Sequence, residues 1–182
     1  MQPPTLRPLI RLVVLAALLA ACGRPSPTPA MLTLDQLSNA AFNSPAPAEG
    51  PIRLADGVYQ EAAAPGAASA ISVRLLQDLA AFGDLDGDTL SDAAVILAGS
   101  GGGTGTFITL AAVRNEDGAP GGAATAYLGD RVRVSSIVID SGEIVVTLTE
   151  HAPTDPLCCP RLMTERRFRL EEGTLTEITG TR

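Results

Sequence analysis

The sequence predicts a mainly β domain, all-β to α+β, in which an antiparallel sheet forms a sandwich or partial barrel with one short N-terminal helix. Three observations point there. About eight or nine short segments alternate apolar and polar residues or run wholly apolar. Turn signals rich in Gly, Asp, Asn and Ser separate them at roughly 8–15-residue spacing. The strand–helix–strand alternation of a parallel sheet is absent.

The elements follow in order. Residues 32–42 read as a short helix, with Thr33 as N-cap and Leu34, Leu37 and Ala41 on one face. Ile52-Arg53-Leu54 and Gly57-Val58-Tyr59-Gln60 read as strands flanking the hairpin-type turn Ala55-Asp56-Gly57. Residues 62–69 are a low-complexity Ala/Pro/Gly loop, and Ile71 to Leu75 alternates as a half-buried strand. Ala80 to Gly83 leads into an acidic loop, which an apolar strand from Ala93 to Ala98 leaves. Another apolar strand runs from Phe107 to Arg114, and Asn115-Glu116-Asp117-Gly118 turns the chain back through Ala123 to Leu128. Strands Arg131 to Ile139 and Glu143 to Glu150 flank Asp140-Ser141-Gly142. Ile144, Val146 and Leu148 share one face of the second, with Thr147 and Thr149 on the other. In Arg166 to Leu170, Phe168 and Leu170 are expected inward and the arginines outward; Glu172-Gly173 then turns into a last strand around Leu175 to Ile178.

The first 21 residues have the three parts of an export signal. Arg7 and Arg11 form a basic start, and Leu12 to Ala20 is apolar but shorter than the roughly 20 residues that cross a bilayer. Leu19-Ala20-Ala21-Cys22 follows, and it resembles the lipobox of bacterial lipoproteins. The resemblance implies cleavage before Cys22, a lipid on its sulfur, and attachment to a membrane through that lipid. Gly23, where an Asp would favour inner-membrane retention, leans the expectation to the outer membrane if the source is Gram-negative. The expected organisation is a signal peptide over 1–21, a lipidated and Pro-rich tether over 22–31, and one β-rich domain over 32–182.

Composition narrows the function classes. Removing residues 1–21 leaves eleven arginines against twenty acids, a net charge of −9. Such a surface is a poor partner for nucleic acid, which selects basic stripes and aromatic platforms. No serine elbow, zinc-protease helix or distinguished carboxylate pair stands out, so a non-enzymatic module is expected.

The sharpest motif is Gly83-Asp84-Leu85-Asp86-Gly87-Asp88-Thr89-Leu90-Ser91-Asp92. Carboxylates at loop positions 1, 3, 5 and 9 (Asp84, Asp86, Asp88 and Asp92) with the Leu90 carbonyl at position 7 offer hard oxygens suited to Ca²⁺, in a structural role. The stretch resembles the calcium loops of FG-GAP repeats in integrin-type propellers, including the Phe-Gly-Asp start and the Asp-Ala-Ala-Val exit. The likeness spans about fifteen residues without repeating, so it implies no propeller. Val95 at position 12 departs from an EF-hand, which places a bidentate Glu there. Thr89 stands at position 6, usually Gly because φ is positive; either another turn forms or affinity is weak.

Two other features carry less chemistry. The glycine run 99–105 lacks the Lys and the helix of a phosphate loop and reads as a hairpin tip. Cys158-Cys159-Pro160 could close a disulfide between neighbours in an oxidising envelope; the alternative is a thiol or metal-handling site with His151, the only histidine. Finally, the acidic loop, Gly-Gly-Gly-Thr-Gly-Thr-Phe, Leu-Ala-Ala-Val, Tyr-Leu-Gly-Asp-Arg-Val and His-Ala-Pro-Thr-Asp-Pro-Leu-Cys-Cys-Pro resemble a type of bacterial envelope lipoprotein domain. That resemblance implies a β-rich envelope domain, with no activity attached.

Overall fold

The computed structural model describes residues 30–62, 65–66, 69–156 and 159–178. The lipobox and Cys22, and also Cys158, lie outside them. One helix, α1 (Leu34–Ser38), precedes strands β1 (Ala41–Asn43), β2 (Pro51–Arg53), β3 (Val58–Ala62), β4 (Ala70–Gly83), β5 (Asp92–Ser100) and β6 (Phe107–Glu116). Then come β7 (Ala119–Asp130), β8 (Arg133–Asp140), β9 (Glu143–Glu150), β10 (Leu162–Glu171) and β11 (Thr174–Ile178). All pairings are antiparallel.

Three sheets result: β3-β4-β5-β6-β7, β11-β10-β9-β8, and the small pair β1-β2. The mainly β architecture expected from turn spacing is therefore what the chain adopts. The two large sheets approach each other at both margins. A methyl group on Gly83 of β4 would lie 2.8 Å from the Ile139 side chain of β8. At the opposite margin Arg166 of β10 donates to the Leu128 carbonyl of β7 at 2.9 Å.

Burial on both faces of the five-stranded sheet explains why β5 and β6 are largely apolar on both sides rather than alternating. Ala94, Ile96, Ala98, Ile108, Leu110 and Ala112 face the four-stranded sheet, meeting Ile144, Val146, Leu148 and Phe168. Ala93, Val95, Leu97, Ala111 and Val113 face the other way, onto a second core closed by Leu37, Phe42, Ile52 and Leu54. A side-chain period of two thus divides one apolar string between two cores.

Four two-residue turns have positive φ at both positions: Asp56-Gly57, Asp117-Gly118, Ser141-Gly142 and Glu172-Gly173. This is the twist that matches a right-handed hairpin, and Gly at the second position removes the Cβ clash. The last three join β6 to β7, β8 to β9 and β10 to β11, as their spacing predicts.

Several local expectations need correction. The helix is shorter than residues 32–42. Thr33 caps it in a reciprocal box with Gln36, but Ala41 and Phe42 are extended because β2 pairs there, Phe42 opposite Ile52. Asp56-Gly57 turns as expected, yet its flanking strands meet only at an Ala55–Val58 bridge; β2 pairs with β1, and β3 with β4. The segments around 71–75 and 80–83 are one strand, β4, irregular between Leu76 and Ala80. Arg166 shares the inward side of β10 with Phe168, unlike Arg167 and Arg169. Its guanidinium lies 5.3 Å from the Phe168 ring centroid and forks onto Glu177 at 2.8 and 2.6 Å. That bond and charge hold the Glu177 carboxyl below the usual carboxylate range, against the opposing effect of burial. The pairing makes an inward arginine tolerable.

Candidate metal centre

The acidic loop joins β4 to β5 at the end of the five-stranded sheet where the β6–β7 turn also lies. Its fixed points are apolar and polar at once. Leu85 inserts into the core between the large sheets, and Asp92, fully buried at the first position of β5, holds the loop's exit. Asp92 accepts from the Leu85 backbone N–H at 2.9 Å with one oxygen, and from the Asn115 N–H at 2.8 Å with the other. Burial raises the Asp92 carboxyl above its ordinary value, as do the charges of Asp86 and Asp88; the two N–H bonds pull the other way.

Asn115, also buried, extends the frame. Its amide donates to the carbonyls of Ser91 at 3.1 Å and Ala30 at 2.9 Å, while its side-chain oxygen accepts from Gly118 at 2.7 Å. One side chain therefore ties together the end of the acidic loop, the β6–β7 turn and the start of the described chain.

Within this frame Asp84, Asp86 and Asp88 converge. Each offers a carboxylate oxygen, and these three atoms lie within 4.8 Å of one another. Among the described residues they are the one such group of His, Cys, Asp or Glu. Backbone N–H groups orient them. Asp84 accepts from Gly87 at 2.7 Å and Thr89 at 3.0 Å, Asp86 from Asp88 at 3.2 Å, and Asp88 from Leu90 at 2.7 Å. Like charges this close favour a cation among them, so the group is suited to hold a metal ion through hard oxygens.

The five residues named from spacing divide. Asp84, Asp86 and Asp88 come together; Leu90 follows them in the same loop. Asp92 stands outside the cluster and braces the Leu85 and Asn115 backbone N–H groups. Thr89 adopts φ +72°, so the loop keeps the positive φ that glycine normally supplies at position 6. A β-branched residue there stores strain. Thr89→Gly is expected to stabilise the domain by about 0.5–2 kcal/mol, net of glycine's extra chain entropy. Urea unfolding of the two proteins checks this, and a less stable variant would contradict it.

Elsewhere the expected residues are less informative. Cys159 is disulfide-bonded. His151 is half-buried just past β9, and its Nδ1 finds no hydrogen-bond partner among the described residues. The glycine run begins inside β5, where Gly99 pairs with Phe107, and its remainder from Gly101 is the loop that joins β5 to β6. Asn115 and Arg166 were not singled out by sequence. An Asn two residues before an Asp-Gly turn was the available signal for the first; the inward period of β10 was the signal for the second.

No family model, curated protein or solved structure matches this chain. Among the described residues no helix is long and apolar enough to cross a membrane.

Proposed function

We propose that this chain is a lipid-anchored envelope domain, a non-enzymatic binding or structural module whose acidic loop takes up Ca²⁺. The convergence of Asp84, Asp86 and Asp88 within 4.8 Å carries the metal part of this reading. The export segment and Leu19-Ala20-Ala21-Cys22 support the anchoring part. Calcium is favoured over Mg²⁺ because a loop of carboxylates and one carbonyl suits flexible coordination better than a strict octahedron. With Asp92 outside the cluster, three carboxylates and the Leu90 carbonyl fall short of the 6–8 oxygens calcium takes, so a bound ion would need further oxygen ligands. The site's task is to neutralise three close carboxylates and hold β4 and β5 together at their exposed end. The thiol-handling alternative through Cys158, Cys159 and His151 draws no support from Cys159, whose sulfur is in a disulfide.

Calorimetric and thermal-melt titration of Ca²⁺ into residues 23–182 tests the metal reading. Saturable stabilisation with a Kd of about 0.1–1 mM is expected, the range of extracellular modules. It should vanish in Asp86→Ala, Asp88→Ala. No response at several times that concentration would reduce the loop to an acidic surface turn.

A further inference from the structure

Three segments distant in sequence share one buried side chain. Asn115, near the end of β6, is 2% exposed. Its Nδ2 donates to the Ser91 carbonyl of the acidic loop at 3.1 Å and to the Ala30 carbonyl, 85 residues away, at 2.9 Å. Its Oδ1 accepts from Gly118 of the β6–β7 turn at 2.7 Å, and its own backbone N–H donates to Asp92 at 2.8 Å. Asp92 in turn accepts from Leu85, near the entry of the loop. The segment from Ala30 through α1 meets the β6–β7 turn a second time, where Gln36 donates to the Gly118 carbonyl at 2.7 Å. Leu32 and Leu37 bury its apolar side in the outer core. We propose that the acidic loop and the segment Ala30–Ser38 form one cooperative unit, coupled through Asn115, so that the two close and release together.

The side-chain amide of Asn115 makes the release all-or-none. It is planar, so one rotamer aims both N–H bonds and the oxygen at once, and a rotation that gives up one partner misaligns the others. Because the group is buried, losing the Ala30 carbonyl leaves an N–H without a partner, which is the costly state. Low-dielectric surroundings strengthen each bond of such a network while the rest are made. A two-state element that both ends bias is the physical requirement for coupling. Linkage then makes the effect reciprocal: whatever closes the loop seats the segment by the same factor. A cation held by Asp84, Asp86 and Asp88, as proposed above, closes the loop and is therefore sensed at α1. The coupling itself stands without the cation.

Gln36→Glu loosens the segment at a point outside the loop. Glutamate keeps the reciprocal box with Thr33, where Oε1 accepts from the Thr33 N–H, but has no N–H for the Gly118 carbonyl. Amide exchange is followed in residues 23–182, which include every described residue, with divalent cations chelated. The reporters are the N–H groups of Leu37 and Gly118 on the segment side and of Leu85 and Asn115 on the loop side. Gln36→Glu is expected to speed all four by one common factor of about 2–10, the loss of one hydrogen bond, with β9 and β10 unchanged. Faster exchange confined to Leu37 and Gly118 overturns the proposal, as does a uniform rise that includes β9 and β10. In an Asn115→Ala background Gln36→Glu should no longer reach Leu85; transmission that persists there overturns the part given to Asn115. Calcium at several times the Kd expected above runs the linkage in reverse. Equal slowing at Leu85 and Leu37 is the expected result, and slowing at Leu85 alone overturns the coupling. If calcium slows neither while Gln36→Glu still reaches Leu85, the metal reading fails and the coupling is upheld.

Discussion

Asp92→Ala is expected to destabilise the domain by about 2–6 kcal/mol, because it orphans two buried backbone N–H groups at about 1–3 kcal/mol each. Those donors belong to Leu85 and Asn115, so the loss spreads from the acidic loop to the β6–β7 turn and the Ala30 contact. Asp92→Asn keeps one acceptor and turns an NH₂ group toward the other donor. It also removes the cost of desolvating a carboxylate, so its loss should fall well below that of the alanine variant. Urea unfolding with divalent cations chelated isolates this framework role from any contribution of an ion. An Asp92→Ala protein as stable as the parent under those conditions would show that Asp92 is not the loop's anchor.

Phe168→Ala carries the second large effect. The ring is 1% exposed in the core between the two large sheets, and deleting it leaves a cavity that the flanking strands cannot fully close. A loss of about 3–5 kcal/mol is expected. For a domain of this size that lowers Tm by about 2–4 °C for each kcal/mol. The same deletion removes the surface under the Arg166 guanidinium, whose bond to the Leu128 carbonyl links the two large sheets at one margin. Thermal melts check the magnitude, and a loss under 1 kcal/mol would mean the two sheets collapse into the gap.

Much of the fold is legible because its signals are local. The three Asp-Gly, Ser-Gly and Glu-Gly hairpins after β6, β8 and β10 announce themselves through residues that tolerate positive φ. The largely apolar runs within β5 and β6 announce strands buried on both sides. At the site, spacing identifies Asp84, Asp86 and Asp88, since alternate positions of one short loop cannot separate far.

What spacing cannot distinguish is a ligand from a brace. Asp92 has the right residue type at the right interval, but its neighbours across the sheet decide that its oxygens face Leu85 and Asn115. The same holds for Phe42, which helical periodicity assigned to α1 and an edge offered by β2 makes a strand residue. Gly99 is a third case. It lies in a run that reads as a flexible tip, yet it is a point where a Cβ would collide with the Ala46 carbonyl oxygen.

By itself the sequence determined the β architecture, the two-residue turns, and three convergent carboxylates, all of which depend on residues within one turn or one strand. Only the tertiary structure decided which strands pair, that one sheet serves two cores, and that Asp92 braces while Arg166 points inward. The reason is physical: turn geometry and side-chain alternation are set by neighbours along the chain. Burial, hydrogen-bond partners and charge pairing are set by residues far apart in sequence, such as Ala30 and Asn115, which meet only when the sheets close.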